Sequence, residues 1–155
     1  MEQKTYFIEL SKEKNHIEFS KKLNEAYKIT DIVGNNYPKH FEWFWTKLVP
    51  GLFLNEREIV IAYVENIPVG VTFLKKTKDE KKICTILVLE EYRRKGIGTG
   101  LIDKSIQILE TKTPLITITE KQIYLFDKII EKYNWKLDEI KEGVYLKNIK
   151  EYIYN

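Results

Sequence analysis

Residues Ile83-Cys84-Thr85-Ile86-Leu87-Val88-Leu89 form a nearly continuous apolar run without a charge. A run of this kind, with no polar residue at every second place, reads as a central strand buried on both faces, so it needs a layer of structure on either side. The chain then passes through Glu90-Glu91-Tyr92 into Arg93-Arg94-Lys95-Gly96-Ile97-Gly98. Beyond that turn Leu101, Ile102, Ile106 and Leu109 recur at helical spacing, which makes the next segment an amphipathic helix. A central strand, a glycine turn and a helix laid back on the strand restrict the fold to a layered α/β arrangement.

The flanking segments fit that restriction. Tyr6 to Leu10 reads as a first strand, and His16 to Tyr27 as a helix with Ile17, Ser20, Leu23 and Tyr27 on one face. Asp31 to Pro38 is a breaker cluster; His40 to Val49 reads as a second helix, stopped by Pro50-Gly51. Glu58 to Val64 and Val69 to Leu74 read as an antiparallel pair around Glu65-Asn66, with Pro68 at the edge of the second run. Leu115 to Thr119 is a further strand, and Thr119 with Gln122 has the capping-box pattern before a helix carrying Ile123, Phe126, Ile130 and Tyr133. Trp135 to Leu137 and Val144 to Leu146 read as two closing strands around Glu142-Gly143. With 155 residues and no linker or repeat, one domain over 1–155 is expected, burying roughly two thirds of its unfolded surface.

Charge excludes little by itself. Twenty-six basic and 23 acidic residues leave a net +3, too small and dispersed to argue for nucleic acid. Cys84 is the only cysteine, which rules out an intrachain disulfide and fits a reducing compartment. The amino terminus lacks the apolar stretch of a signal peptide, and no run is long enough to span a bilayer, so the chain reads as cytoplasmic. His16 and His40 have no second ligand pattern near them, so no metal is expected.

The turn at Arg93 to Gly98 carries the chemistry. A strand end followed by a helix start aims free backbone N–H groups and the positive helix end at an anion. Gly96 and Gly98 let a phosphate approach the backbone, and Arg93, Arg94 and Lys95 add positive charge there. A tight connection with solvated cations would need the same glycines. The dinucleotide pattern fails because Leu101 holds its third glycine position, and the Walker pattern fails because no Gly-Lys-Ser/Thr follows. The pattern Arg/Gln-x-x-Gly-x-Gly/Ala is met by Arg93, Gly96 and Gly98.

The segment from Leu87 to Leu101 resembles the central cofactor-binding segment of the GNAT superfamily of N-acetyltransferases, and the element order from Tyr6 to Leu146 is similar to that family's fold. The resemblance implies an α/β domain with a mixed central sheet of about seven strands and helices on both faces, splayed between the fourth and fifth strands. It implies acetyl-CoA as acyl donor, its pantetheine in the splay along Leu87, Val88 and Leu89. Its pyrophosphate would rest on the backbone from Arg94 to Thr99, including Gly96, Ile97 and Gly98, with Arg93, Arg94 or Lys95 as countercharge. Phe126 and Ile130 would border the cofactor. The implied reaction moves an acetyl group to an amine by direct attack in a ternary complex.

Two positions depart from the family. Lys82 stands where many members place a glutamate base, and Ile130 stands where many place a tyrosine acid. Tyr133, one turn further along the same face, is a candidate acid, although packing on Trp135 also explains it. Phe41, Trp43, Phe44 and Trp45 read as core packing plus one ring at the rim, or as an acceptor pocket in which Glu42 is the nearby carboxylate. A second reading is therefore a domain that binds acyl-CoA without turnover, and a third is a basic module acting on RNA. The acceptor stays open among a small amine, a protein amino terminus, lysine and aminoacyl-tRNA. A second copy of the chain is a further candidate partner, whereas a membrane is not.

Overall fold

Along the second strand of the sheet, Ile59, Ile61 and Tyr63 point to one face and Val60, Ala62 and Val64 to the other, and all six are buried. Such a strand must be covered twice, and each fully buried aliphatic side chain then stabilises the fold by about 1.5–3 kcal/mol. A computed structural model describes residues 3–31, 39–144 and 146–155. Its strands are β1 (Thr5–Glu9), β2 (Arg57–Val64), β3 (Ile67–Lys76), β4 (Lys81–Val88), β5 (Leu115–Thr119), β6 (Leu137–Glu142) and β7 (Lys150–Tyr154). Among the described residues they form one seven-stranded sheet in the order β1-β2-β3-β4-β5-β7-β6, in which only β4 and β5 pair in parallel. This is the expected mixed sheet.

One face is covered by α1 (His16–Thr30), α2 (His40–Trp43), a π-helical turn (Phe44–Leu48) and α3 (Val49–Phe53). Asn15 caps α1, its side-chain oxygen accepting from the N–H groups of Ile17 and Glu18 at 3.0 Å. Leu23, Ala26 and Ile29 bury the inner side of α1 against Ile59, Ile61 and Phe73. The other face is covered by α4 (Ile97–Leu109), with Leu101, Ile102 and Leu109 fully buried, and by the short α5 (Asp127–Lys132).

Five local expectations need correction. Pro50-Gly51 does not end the second helix, which runs on to Phe53. A π turn, closed by the Val49 N–H on the Phe44 carbonyl, precedes Pro50, and the proline stands in the first turn of α3, where its missing N–H is tolerated. The helix after Thr119 is split into a 3-10 turn (Ile123–Leu125) and α5, and no capping box forms. Instead the Lys121 N–H donates to the Thr119 hydroxyl at 3.4 Å and the Gln122 N–H to the Thr119 carbonyl at 2.9 Å. Trp135 belongs to no strand; it is buried and its indole N–H donates to the Pro114 carbonyl at 2.7 Å. The final strand is Lys150–Tyr154 rather than Val144 to Leu146, and it inserts between β5 and β6. Its charged first residues hid it, although Glu151 is buried once pairing is complete. Along β4 only Ile83 and Leu87 are buried, because the strand is unpaired on one side beyond Ile83. Most of the breaker cluster (32–38) and Tyr145 lie outside the described residues.

Candidate active site

The parallel contact between β4 and β5 consists of Lys82 with Leu115 and Ile83 with Ile116. Beyond it the strands diverge, leaving a gap of about 40 Å³ lined by Ile83 to Leu87, Ile116 to Thr119, Gln122 and Phe126. This is the expected splay. The Leu89 N–H donates to the Val69 carbonyl at 2.8 Å and so points at β3. By the alternation of an antiparallel pair, Ile86 and Val88 turn their N–H and C=O groups toward the gap, and Leu87 turns its groups away. Ile86 was absent from the sequence-derived set because a main-chain direction follows from register, not from residue type. Arg93 reaches back to this edge, its Nε donating to the Val88 carbonyl at 2.9 Å.

At the far end of β4 the chain turns through Arg94 (φ 62°) and Gly96 (φ 84°) into α4. Gly96 adopts the left-handed conformation that a β-carbon disfavours. No side chain caps α4, and the first bond of the helix is Gly100 N–H to Gly96 C=O at 3.0 Å. The N–H groups of Ile97, Gly98 and Thr99 precede that bond and have no acceptor within the helix. Arg94 and Lys95 are exposed beside them. A Cβ on Gly98 would stand 3.9 Å from Val88 Cγ2 and 4.0 Å from Ile129 Cδ1, whereas one on Gly100 would strike the Phe7 ring. Gly100 thus sets how closely α4 lies on the sheet. Phe126 borders the gap, and Ile130 packs in the core beneath α4.

A second, larger cavity of about 510 Å³ opens beside the gap and shares Cys84 and Thr85 with it. Its walls come from the start of α2 (Lys39, His40, Trp43), the start of β2 (Arg57), the strand ends around the β3–β4 loop (Lys75, Glu80, Lys82) and Val144. Arg57 Nη1 donates to Cys84 Sγ at 3.3 Å, and the guanidinium lies 5.7 Å from the centre of the Trp43 ring. Lys75 pairs with Glu80 at 3.1 Å. His40 Nε2 lies 2.9 Å from Thr30 Oγ1; burial lowers its pKa and the Asp31 charge only opposes this, so the ring is neutral near pH 7. Burial pushes the Cys84 thiol up, against the opposing charges of Arg57 and Lys82, so it stays a thiol.

The two catalytic candidates lie elsewhere. Glu42 is exposed and does not line the cavity, although its neighbour Trp43 does. The Tyr133 hydroxyl donates to the Asp103 carboxylate, and its ring packs 6.0 Å from that of Trp135. Burial first, and Asp103 second, push its pKa up, and it lines neither cavity. Of the four clustered aromatics, Phe44 is core, Trp43 and Trp45 are half-buried against it, and Phe41 is 64% exposed. Glu80 was missed because it lies in a charged loop that reads as solvated.

The profile of the family described as "Acetyltransferase (GNAT) family" matches residues 19–122. No curated protein matches the chain in sequence. Among solved structures, the N-acetyltransferase from Staphylococcus aureus Mu50 is similar with a TM-score of 0.73, at 15% identity over 97% of this chain and 96% of that one. PaiA N-acetyltransferase from Thermoplasma acidophilum, in complex with coenzyme A, is similar with a TM-score of 0.63 at 16% identity over 97% of each chain. A GNAT family acetyltransferase from Elizabethkingia anophelis with acetyl-CoA bound gives 0.52 at 19% identity over 70% of this chain and 81% of that one. At these identities the likeness is one of fold.

Proposed function

Because the chain belongs to the GNAT acetyltransferase family, we propose that it moves the acetyl group of acetyl-CoA to an amine by direct attack in a ternary complex, as one cytoplasmic domain over residues 1–155. Among the described residues no helix is long and apolar enough to cross a membrane. Pantetheine lies in the gap between β4 and β5 and pairs with the main chain of Ile86 and Val88. The pyrophosphate takes the N–H groups of Ile97, Gly98 and Thr99, with Arg94 and Lys95 as countercharge. The observation that carries this reading is the junction at Cys84 and Thr85, where the gap meets the larger cavity. A thioester in the gap and an amine in the cavity would face each other there.

The amine nitrogen attacks the thioester carbonyl carbon, a C–N bond forms and the C–S bond breaks. The proton lost by nitrogen ends on the departing sulfur. Water in the cavity carries that proton from nitrogen to sulfur, because Glu80, the carboxylate lining the cavity among the described residues, is paired with Lys75. Tyr133 is committed to Asp103 and Glu42 faces solvent, so neither is assigned the first proton transfer.

The test is thiol release from acetyl-CoA against a panel of amines, with CoA affinity measured in parallel by calorimetry. Steady CoA production with any amine supports the enzyme. Lys82 and Ile130, at the two departed positions, favour the alternative of an acyl-CoA sensor. Tight acetyl-CoA binding with no turnover would select it.

A further inference from the structure

The larger cavity is far more positive than the chain as a whole. Four cations (Lys39, Arg57, Lys75 and Lys82) line it against one carboxylate, Glu80, and His40 is neutral there. Glu80 is taken by Lys75, which leaves Arg57, Lys82 and Lys39 without an acidic partner among the described residues. Arg57 is also held in place, stacked over Trp43 and bonded to Cys84, so its guanidinium is fixed at the junction with the gap. A preorganised guanidinium flanked by a free ammonium fits a carboxylate or a phosphate. The volume of about 510 Å³ suits a small molecule.

We propose that the acceptor is a small amine carrying a carboxylate or phosphate group, which Arg57 and Lys82 bind so that the amine faces the thioester. This rests on the acetyltransferase reading above. The same cations assist the chemistry, because positive neighbours disfavour the ammonium form of the bound amine and favour its nucleophilic neutral form. Lys82, which cannot replace a carboxylate base, would act here by charge.

The experiment compares matched amines in the thiol-release assay: alanine against alaninamide, and phosphoethanolamine against ethanolamine. The expected result is a kcat/KM higher by about tenfold or more for the anionic member of at least one pair, and the pair that shows it tells carboxylate from phosphate. Lys82→Met should shrink that ratio while CoA affinity stays unchanged. Lys39→Met, at an exposed position, should shrink it to a smaller degree and serves if Lys82→Met misfolds. Neutral amines that match or exceed their anionic partners would overturn the inference and leave acetyl transfer standing. If no amine releases thiol, acetyl transfer itself fails, and calorimetry of alanine and phosphoethanolamine with the acetyl-CoA complex decides the site. Binding lost in Lys82→Met supports it, and no binding overturns it.

Discussion

Gly51→Ala is a substitution whose effect changes sign because of this fold. Inside a helix, alanine in place of glycine ordinarily stabilises by about 0.5–1 kcal/mol. Here a Cβ would overlap Arg57 Cγ and stand 2.9 Å from Arg57 Cβ and 3.3 Å from its Cδ. These atoms are the root of the side chain, so either α3 or the start of β2 must move. Overpacking of this kind costs about 1–3 kcal/mol, and losing the guanidinium from Trp43 adds about 0.5–1 kcal/mol. Set against the helix gain, the net loss is about 1–3 kcal/mol, or roughly 3–9 °C in Tm for a chain of this length. Thermal unfolding by circular dichroism reads the stability, and the acceptor KM reads the displacement of Arg57. CoA affinity should hold, because the glycine turn lies at the opposite end of β4. A Tm equal to or above that of the wild type would refute the packing argument.

Gly98→Val should weaken CoA binding by about tenfold or more while the fold survives, because an added Cβ meets only Val88 and Ile129 at 3.9 and 4.0 Å, whereas a β-branched side chain adds bulk beside the N–H groups assigned to the phosphate. Unchanged affinity by calorimetry in a folded variant would make the turn a mere connector. Tyr133→Phe should lower turnover by less than about tenfold, or about 1.4 kcal/mol of transition-state stabilisation; a loss of about a hundredfold at unchanged CoA affinity would make Tyr133 the general acid. His40 has a folded pKa below its unfolded one, so the unfolded chain takes up the proton first and stability is lost as pH falls below about 6.5. His40→Gln should flatten the fall in Tm between pH 7.5 and 5.5, and an equally steep fall in the variant would assign it to other groups.

The strand at β4, the glycine turn and α4 were legible in the sequence because each is specified by neighbours in the chain. An uncharged apolar run, a left-handed glycine and a helical apolar stripe act over a few residues, and together they located the family's cofactor segment. The expectation of a splay beside β4 came through that resemblance, and the pairing of β4 with β5 shows where it begins. The acceptor side was not legible. Glu80 sits in a charged stretch and Arg57 just before a strand, so neither stood out; Lys82 drew notice only as a departure from the family, and Trp43 read equally as core or as pocket wall. β7 was hidden for a related reason: Glu151 looks solvated until β5 and β6 close on both sides of it, while its neighbour Lys150 stays exposed. The sequence by itself therefore determined the unit of strand, glycine turn and helix and the layered α/β architecture, whose causes are local. Only the tertiary structure decided the cationic cavity at Cys84 and Thr85. Its charges come from four separate stretches of chain, and the pairing of β2, β3 and β4 is what sets them within reach of one another.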